Sequence, residues 1–193
     1  VREFDEKHFL ILATKKGVIK KTNLMEYSRP RQGGIIGINL DAGDELIQAR
    51  LTDGSKEVII ATKEGMAVRF NEEDARSIGR SSRGVRGISL NDKDEVVGLV
   101  IPEKADTLLT ITENGYGKRT AIDEYRLINR GGSGVINIQT SDRNGTVVSI
   151  TTVTEEDEMM LISRNGIIIR IPCKGISVIG RNTQGVRLMN LGP

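Results

Sequence analysis

The stretch Thr14-Lys15-Lys16-Gly17-Val18-Ile19-Lys20 returns as Thr62-Lys63-Glu64-Gly65-Met66-Ala67-Val68, as Thr112-Glu113-Asn114-Gly115-Tyr116-Gly117-Lys118 and as Ser163-Arg164-Asn165-Gly166-Ile167-Ile168-Ile169, at spacings of 48, 50 and 51 residues. Each copy sets a glycine turn between two apolar runs. A second landmark, Gly34-Ile35-Ile36-Gly37-Ile38, recurs as Gly84-Val85-Arg86-Gly87-Ile88, Gly134-Val135-Ile136-Asn137-Ile138 and Gly185-Val186-Arg187-Leu188-Met189, at spacings of 50, 50 and 51. Two landmarks sharing one period mark a repeat architecture. The units run over residues 1–53, 54–103, 104–153 and 154–193.

Within a unit the apolar runs are short and rich in Val, Ile and Thr, as in Phe9 to Thr14, Val18 to Thr22, Ile35 to Leu40 and Leu46 to Thr52. That is strand composition at strand length. Asn114-Gly115, Asn165-Gly166 and Asn144-Gly145 supply the dipeptides that hold tight turns. Residues 71–83 are polar and predict a helical turn capped by Asn71, with no long helix anywhere. Four short strands every fifty residues predict an all-β, propeller-like set of about four four-stranded blades. Such blades are stable only when stacked. The propeller patterns that depend on tryptophan are ruled out, because the chain has none.

Composition narrows the function. Of 193 residues 28% are charged and 37% apolar, which suits a folded, water-soluble domain. The longest charge-free stretch is 11 residues, from Gly131 to Ser141 and again from Asn144 to Thr154. A spanning helix needs roughly 18 or more, so no membrane segment is expected. One cysteine and one histidine cannot build a disulfide or a Cys/His metal cage, and they fit a reducing, cytoplasmic setting. The start at Val1, with no signal pattern, reads as an excised piece. Aromatics at 3% argue against a surface that stacks bases or sugars.

The net charge of +2 conceals a pattern. Basic residues gather in the loop before the second landmark: Arg29 and Arg31; Arg76, Arg80, Arg83 and Arg86; Arg126 and Arg130; Arg181 and Arg187. They gather again on the strand after the glycine turn, as Lys20 and Lys21, Arg69, Lys118 and Arg119, and Arg170. Acids lie elsewhere, at Asp41, Asp44 and Glu45, at Asp92, Asp94 and Glu95, at Asp142, and from Glu155 to Glu158. Stacked blades would align both basic sets into a stripe. Arginine outnumbers lysine 17 to 11, and guanidinium grips phosphate with paired donors, so duplex DNA is the best-fitting partner. With no recognition helix, binding should ignore sequence and respond to salt. An ordinary solvated charged surface explains the same placement equally well.

Ile179-Gly180-Arg181-Asn182-Thr183-Gln184-Gly185-Val186-Arg187-Leu188, Asn114-Gly115-Tyr116-Gly117-Lys118-Arg119-Thr120 and Gly84 to Ile88 resemble the carboxy-terminal domain of DNA gyrase A. The resemblance runs through all four repeats. It implies a β-pinwheel, in which adjacent blades exchange strands and a basic outer rim bends duplex DNA so that strand passage introduces negative supercoils. It also implies a non-catalytic part of an ATP-hydrolysing type IIA topoisomerase, with no cofactor of its own. Its partners would be double-stranded DNA, the rest of gyrase A and, in the assembled enzyme, gyrase B, at the nucleoid. Family rings usually have six blades, and these four begin at the second. The gyrase-A box Q-R-R-G-G-K-G is absent. Its nearest counterpart, Ile128 to Gly134, keeps Arg130, Gly131, Gly132 and Gly134 in a different blade and reads as an ordinary loop. Full wrapping is therefore not expected of these repeats alone. Two alternatives stand beside this reading: the equivalent domain of topoisomerase IV, and a propeller-like scaffold whose charged loops meet an acidic protein.

Other chemistry-bearing residues point to architecture. His8 has no partners in the sequence that would make it catalytic. Cys173 reads as a small filler on a short strand, although Lys174 could lower its pKa. Glu155 to Glu158 reads as a solvated turn and not a metal loop. The glycine loop from Arg130 to Gly134 lacks the Lys-Ser or Lys-Thr ending of a nucleotide cradle. Tyr27 and Tyr125 fall at corresponding points of their repeats, as packing residues do.

Overall fold

The computed structural model describes residues 1, 3–104 and 106–192. Fourteen strands follow one another: β1 (Phe9–Thr14), β2 (Val18–Asn23), β3 (Leu46–Thr52), β4 (Glu57–Thr62), β5 (Met66–Asn71), β6 (Val85–Arg86), β7 (Val96–Val100), β8 (Thr107–Thr112), β9 (Tyr116–Ala121), β10 (Val135–Ile136), β11 (Val147–Val153), β12 (Glu158–Ile162), β13 (Ile168–Pro172) and β14 (Val186–Arg187). Among the described residues the helical elements are short 3₁₀ turns, such as Glu72–Asp74, where the Asn71 side chain accepts from the Glu73 amide as the sequence predicts.

The sheets are not the repeats. Their strand orders are β3-β1-β2-β6, β10-β5-β4-β7, β11-β8-β9-β14 and β12-β13. In each of the first three, the outermost short strand comes from the following repeat: Val85 pairs with Ile19, Val135 with Ala67 and Val186 with Gly117. This is the strand exchange that the resemblance implies. It corrects the expectation of four strands folded within each unit. The expected strand at Ile35 to Leu40 is not formed, because among the described residues no strand edge lies beside it. Among the described residues the last sheet has two strands, β12 and β13.

Apolar side chains fill the gaps between blades. Along β4, Val58 and Ile60 join Ile11 and Ile19 of the first blade, while Ile59 and Ala61 join Leu108 and Val147 of the third. Alternation along a strand therefore serves two neighbours, each side chain facing the opposite blade from the one before it. Leu109 and Val153 repeat the arrangement towards Cys173 and Ile176. Burying one such Ile fully contributes roughly 1.5–3 kcal/mol, so the blade-to-blade seams dominate stability.

Close backbone approach at the exchanged strand demands glycine. Gly84 has φ of +105°, and an added Cβ would sit 2.5 Å from the Ile19 carbonyl oxygen and 2.8 Å from Val18 Cγ1. Gly33 faces open space. Gly84→Ala should cost roughly 2 kcal/mol or more through the left-handed backbone and the clash, lowering the thermal midpoint by roughly 4–8 °C. Gly33→Ala should leave it within about 2 °C. Equal midpoints for the two variants would show that the exchanged strand is not the tight seam described.

Candidate nucleic-acid interface

The two basic sets part company in three dimensions. Lys20 and Lys118 are fully buried, Lys21 and Arg119 nearly so, and the Arg69 side chain is 15% exposed. Each points at the next repeat. Lys20 Nζ donates to the carbonyls of Gly37 (2.6 Å), Gly79 (3.3 Å) and Arg80. Lys118 Nζ donates to Gly180 and Arg181, both at 2.7 Å. Lys21 donates to the Glu72 carbonyl (2.8 Å), Arg69 to those of Ile122 (3.1 Å) and Tyr125 (2.9 Å), and Arg119 to that of Ile176 (3.0 Å). Arg69 also pairs with Glu57 at 2.6 Å. These five residues were expected on the DNA-contacting stripe. Burial removes them from it, because their donors are spent on carbonyls of the protein itself and are turned away from solvent. Arg170, at the corresponding place on β13, is exposed and pairs with Glu158.

The other set forms a continuous ridge. Four loops, at residues 28–40, 75–90, 125–140 and 176–190, are bonded in series. Asn39 donates from its amide to the Ser82 carbonyl (3.1 Å) and Arg80 Nη1 to that of Ile36 (2.6 Å). Gly131 N donates to Gly87 (2.7 Å), Ser89 N to Gly132 (3.0 Å) and Arg130 Nη1 to Arg86 (2.9 Å). Gln139 N donates to Thr183 (2.9 Å) and Arg181 Nη1 to Ile136 (2.6 Å). Arg80, Arg130 and Arg181 thus play one part three times, each tying its loop to the loop before it. They are half-buried and serve the ridge first.

Arg29, Arg31, Arg76, Arg83, Arg86, Arg126 and Arg187 are exposed on these loops. Arg83 meets Asp41 at 3.1 Å, and Arg187 donates to the Tyr116 hydroxyl at 2.9 Å. Among the described residues the side chains of Arg29, Arg31, Arg76, Arg86 and Arg126 make no hydrogen bond or ion pair. Unneutralised guanidinium groups on a backbone-locked ridge suit the oxygens of an anionic polymer. Clefts between successive loops carry the same residues. One is lined by Arg31, Gly34 and Arg80, another by Arg126, Gly134 and Arg181.

The remaining candidates fall into place. His8 Nδ1 lies 2.7 Å from Asp5 in the partly exposed segment before β1. Cys173 is buried in a 3₁₀ turn, and burial pushes its thiol up, against the lowering expected from Lys174. The Tyr125 hydroxyl donates to Asn137 Oδ1 at 2.6 Å in the core, where burial raises its pKa. Within the acidic run Asp157 accepts from the Thr154 amide (2.7 Å) in a turn. Among the described residues no group of three or more His, Cys, Asp or Glu is placed to hold a metal ion. Among them, too, no helix is long and apolar enough to cross a membrane. Sequence reasoning passed over Arg143, whose guanidinium lies 5.1 Å from the Tyr116 ring centroid. The usable signal was Tyr116 itself, standing where the other repeats place Val18, Met66 and Ile167.

Lys20 and Lys118 are pushed down to about 8, first by burial and then by the charges of Arg80 and Arg181. Between about 8 and the ordinary 10.5 the unfolded chain holds a proton that the folded chain lacks, so these lysines favour folding more as pH rises through that window. From pH 7.5 to 9.5 the wild type should gain about 1–2 kcal/mol over Lys118→Met, read from denaturant unfolding at each pH. A constant difference would mean that the buried ammonium keeps its proton throughout.

The family described as DNA gyrase C-terminal domain, beta-propeller, matches residues 8–53, 56–103, 106–154 and 157–193. The DNA gyrase A protein of Halalkalibacterium halodurans is 58% identical over 191 residues, covering 99% of this chain and 23% of that protein. The DNA gyrase A protein of Clostridium acetobutylicum is 48% identical over 189 residues, covering 98% of this chain and 23% of that protein. The chain therefore spans about a quarter of the length of these relatives. The solved DNA gyrase A C-terminal domain superposes with a TM-score of 0.90 at 27% identity, covering 100% of this chain and 64% of that one. The C-terminal domain of DNA topoisomerase IV superposes at 0.92 with 24% identity, covering 98% and 60%, a likeness of fold alone. With the family matched in every repeat and strand exchange present in the fold, this chain belongs to the DNA gyrase A C-terminal domain family.

Proposed function

We propose that this chain is a non-catalytic module that binds and bends duplex DNA without regard to sequence, in support of ATP-driven negative supercoiling by an assembled gyrase. Its partners are double-stranded DNA, the rest of gyrase A and gyrase B, at the nucleoid in the cytoplasm. The observation that carries this reading is the ridge of four hydrogen-bonded loops with unpaired arginines on successive blades. Such a ridge meets the phosphate lattice and not base edges, because it has neither a helix for the major groove nor an aromatic platform for unstacked bases.

Bending 20–30 base pairs by 40–90° costs on the order of 1–6 kcal/mol. Release of counterions from six to ten neutralised phosphates is large enough to offset this, since it changes affinity by about 10³–10⁵ between 50 and 200 mM salt. The ridge presents that number of arginines without first having to order them, because its backbone is bonded from loop to loop. Relatives at 48–58% identity that are named as gyrase A favour gyrase over topoisomerase IV for this module.

Arg31, Arg83 and Arg126, one from each of three loops, test the reading. Changing all three to Gln in full-length gyrase A should weaken binding to duplexes of any sequence alike. It should also flatten the log–log salt dependence by roughly 2–3, measured by fluorescence anisotropy with random-sequence duplexes. Unchanged affinity and slope would sink the proposal and favour an acidic protein as the partner of these loops.

A further inference from the structure

The third blade carries an arrangement that the other blades lack. Arg143 and Arg187 both lie over the ring of Tyr116, at 5.1 and 5.3 Å from its centroid, and Arg187 Nη2 donates to the tyrosine hydroxyl at 2.9 Å. Tyr116 is 5% exposed, whereas both arginines reach solvent. Among the described residues no carboxylate comes within 4.0 Å of either guanidinium. Two like charges therefore share one aromatic surface with no carboxylate in ion-pair contact. Hydrogen bonding to Arg187 first, and then the nearby Arg143, holds the Tyr116 hydroxyl below the ordinary tyrosine pKa.

The backbone under this pair is fixed. Asn114 Nδ2 donates to the carbonyls of Asp142 (3.1 Å) and Arg143 (3.3 Å). The fully buried Asn144 donates to the Gln139 carbonyl (2.8 Å) and to that of Gln184 (3.0 Å) in the fourth loop of the ridge. Arg187 stands opposite Tyr116 in the β9–β14 register. Both arginines are thus mounted on segments bonded to the end of the ridge.

The repeats make the contrast plain. Where the third blade has Tyr116 and Arg187, the first has Val18 and Arg86 and the second Met66 and Ile136. Around Arg86 the cleft is lined by Lys16, Asp41, Asp44 and Arg83, with Arg83 ion-paired to Asp41, so acids share that place with the cations although none pairs with Arg86 itself. The stacking needs of the fold are met by Val or Met, and the doubled, unneutralised cation is an addition to them.

We propose that Arg143 and Arg187, held on Tyr116, form a phosphodiester-binding site that extends the DNA track beyond the four loops at the third-blade end. This deepens the duplex-binding reading and rests on it. Each planar guanidinium offers paired donors to phosphate oxygens, and stacking on the ring restricts its rotamers before the ligand arrives. The grip on DNA is then stronger at this end of the ridge than at the first blade. Tyr116 is a positioning residue and does not itself need to touch the duplex.

Arg143→Gln in full-length gyrase A should flatten the log–log salt dependence of duplex affinity by about 1, and Arg143→Gln with Arg187→Gln by about 2. Arg143→Lys should keep the slope. If the Arg31, Arg83 and Arg126 substitutions flatten the slope and Arg143→Gln does not, this site is overturned while the duplex-binding reading stands. If none of them changes it, both fall. Should Arg143→Gln not fold, phenylglyoxal modification of the unaltered full-length protein decides the matter by mass spectrometry. Protection of Arg143 and Arg187 by a short duplex supports the site, and equal labelling with and without duplex overturns it.

Discussion

A blade in this protein cannot complete itself, and the rest of the structure follows from how its neighbour completes it. Two strands and a return strand leave an open edge with unpaired backbone groups. The next repeat covers that edge with two residues, Val85–Arg86, Val135–Ile136 or Val186–Arg187. The loop around those residues is then fastened by a cation from the blade beneath. Lys20 or Lys118 reaches up into a cluster of loop carbonyls, and Lys21, Arg69 or Arg119 holds the start of the same loop. A buried ammonium with carbonyl partners is tolerable, and without them it would not be.

This seam divides the basic residues into two populations. The inner population has its donors turned towards protein carbonyls and takes no part in the surface field. The outer population stands on the loops that the inner one holds in place. Arg80, Arg130 and Arg181 belong partly to both, tying each loop to its predecessor through one nitrogen while sitting at the edge of solvent. A ridge built in this way needs little ordering when a polyanion arrives. In the proposed role that matters, because the electrostatic gain from phosphate contacts would have to exceed the work of bending the duplex.

Repetition is also broken in an informative way. At the first junction Asp41 and Asp44 share a cleft with Arg83 and Arg86, whereas at the third Arg143 and Arg187 share a tyrosine ring and no acid. The surroundings of the cations therefore differ between these two junctions.

The period of fifty, the strand composition and the glycine turns were legible in the sequence, because they arise from local chemistry that each residue expresses within its own repeat. So was the clustering of arginine in the loops, and so were the packing role of Tyr125 and the burial of Cys173, although Cys173 sits in a 3₁₀ turn and not on the short strand expected. What the sequence could not show was which repeat each strand would join. Val85 and Val135 have ordinary strand character, and only the partner edges of β2 and β5 decide that they cross to the preceding blade. Lys20 and Arg31 look equally cationic in a string of letters, yet one is buried among carbonyls and the other is free. Burial and hydrogen-bond partners are properties of residues some fifty positions apart meeting in space. Only the tertiary structure decided which charges build the protein and which stand free on its surface.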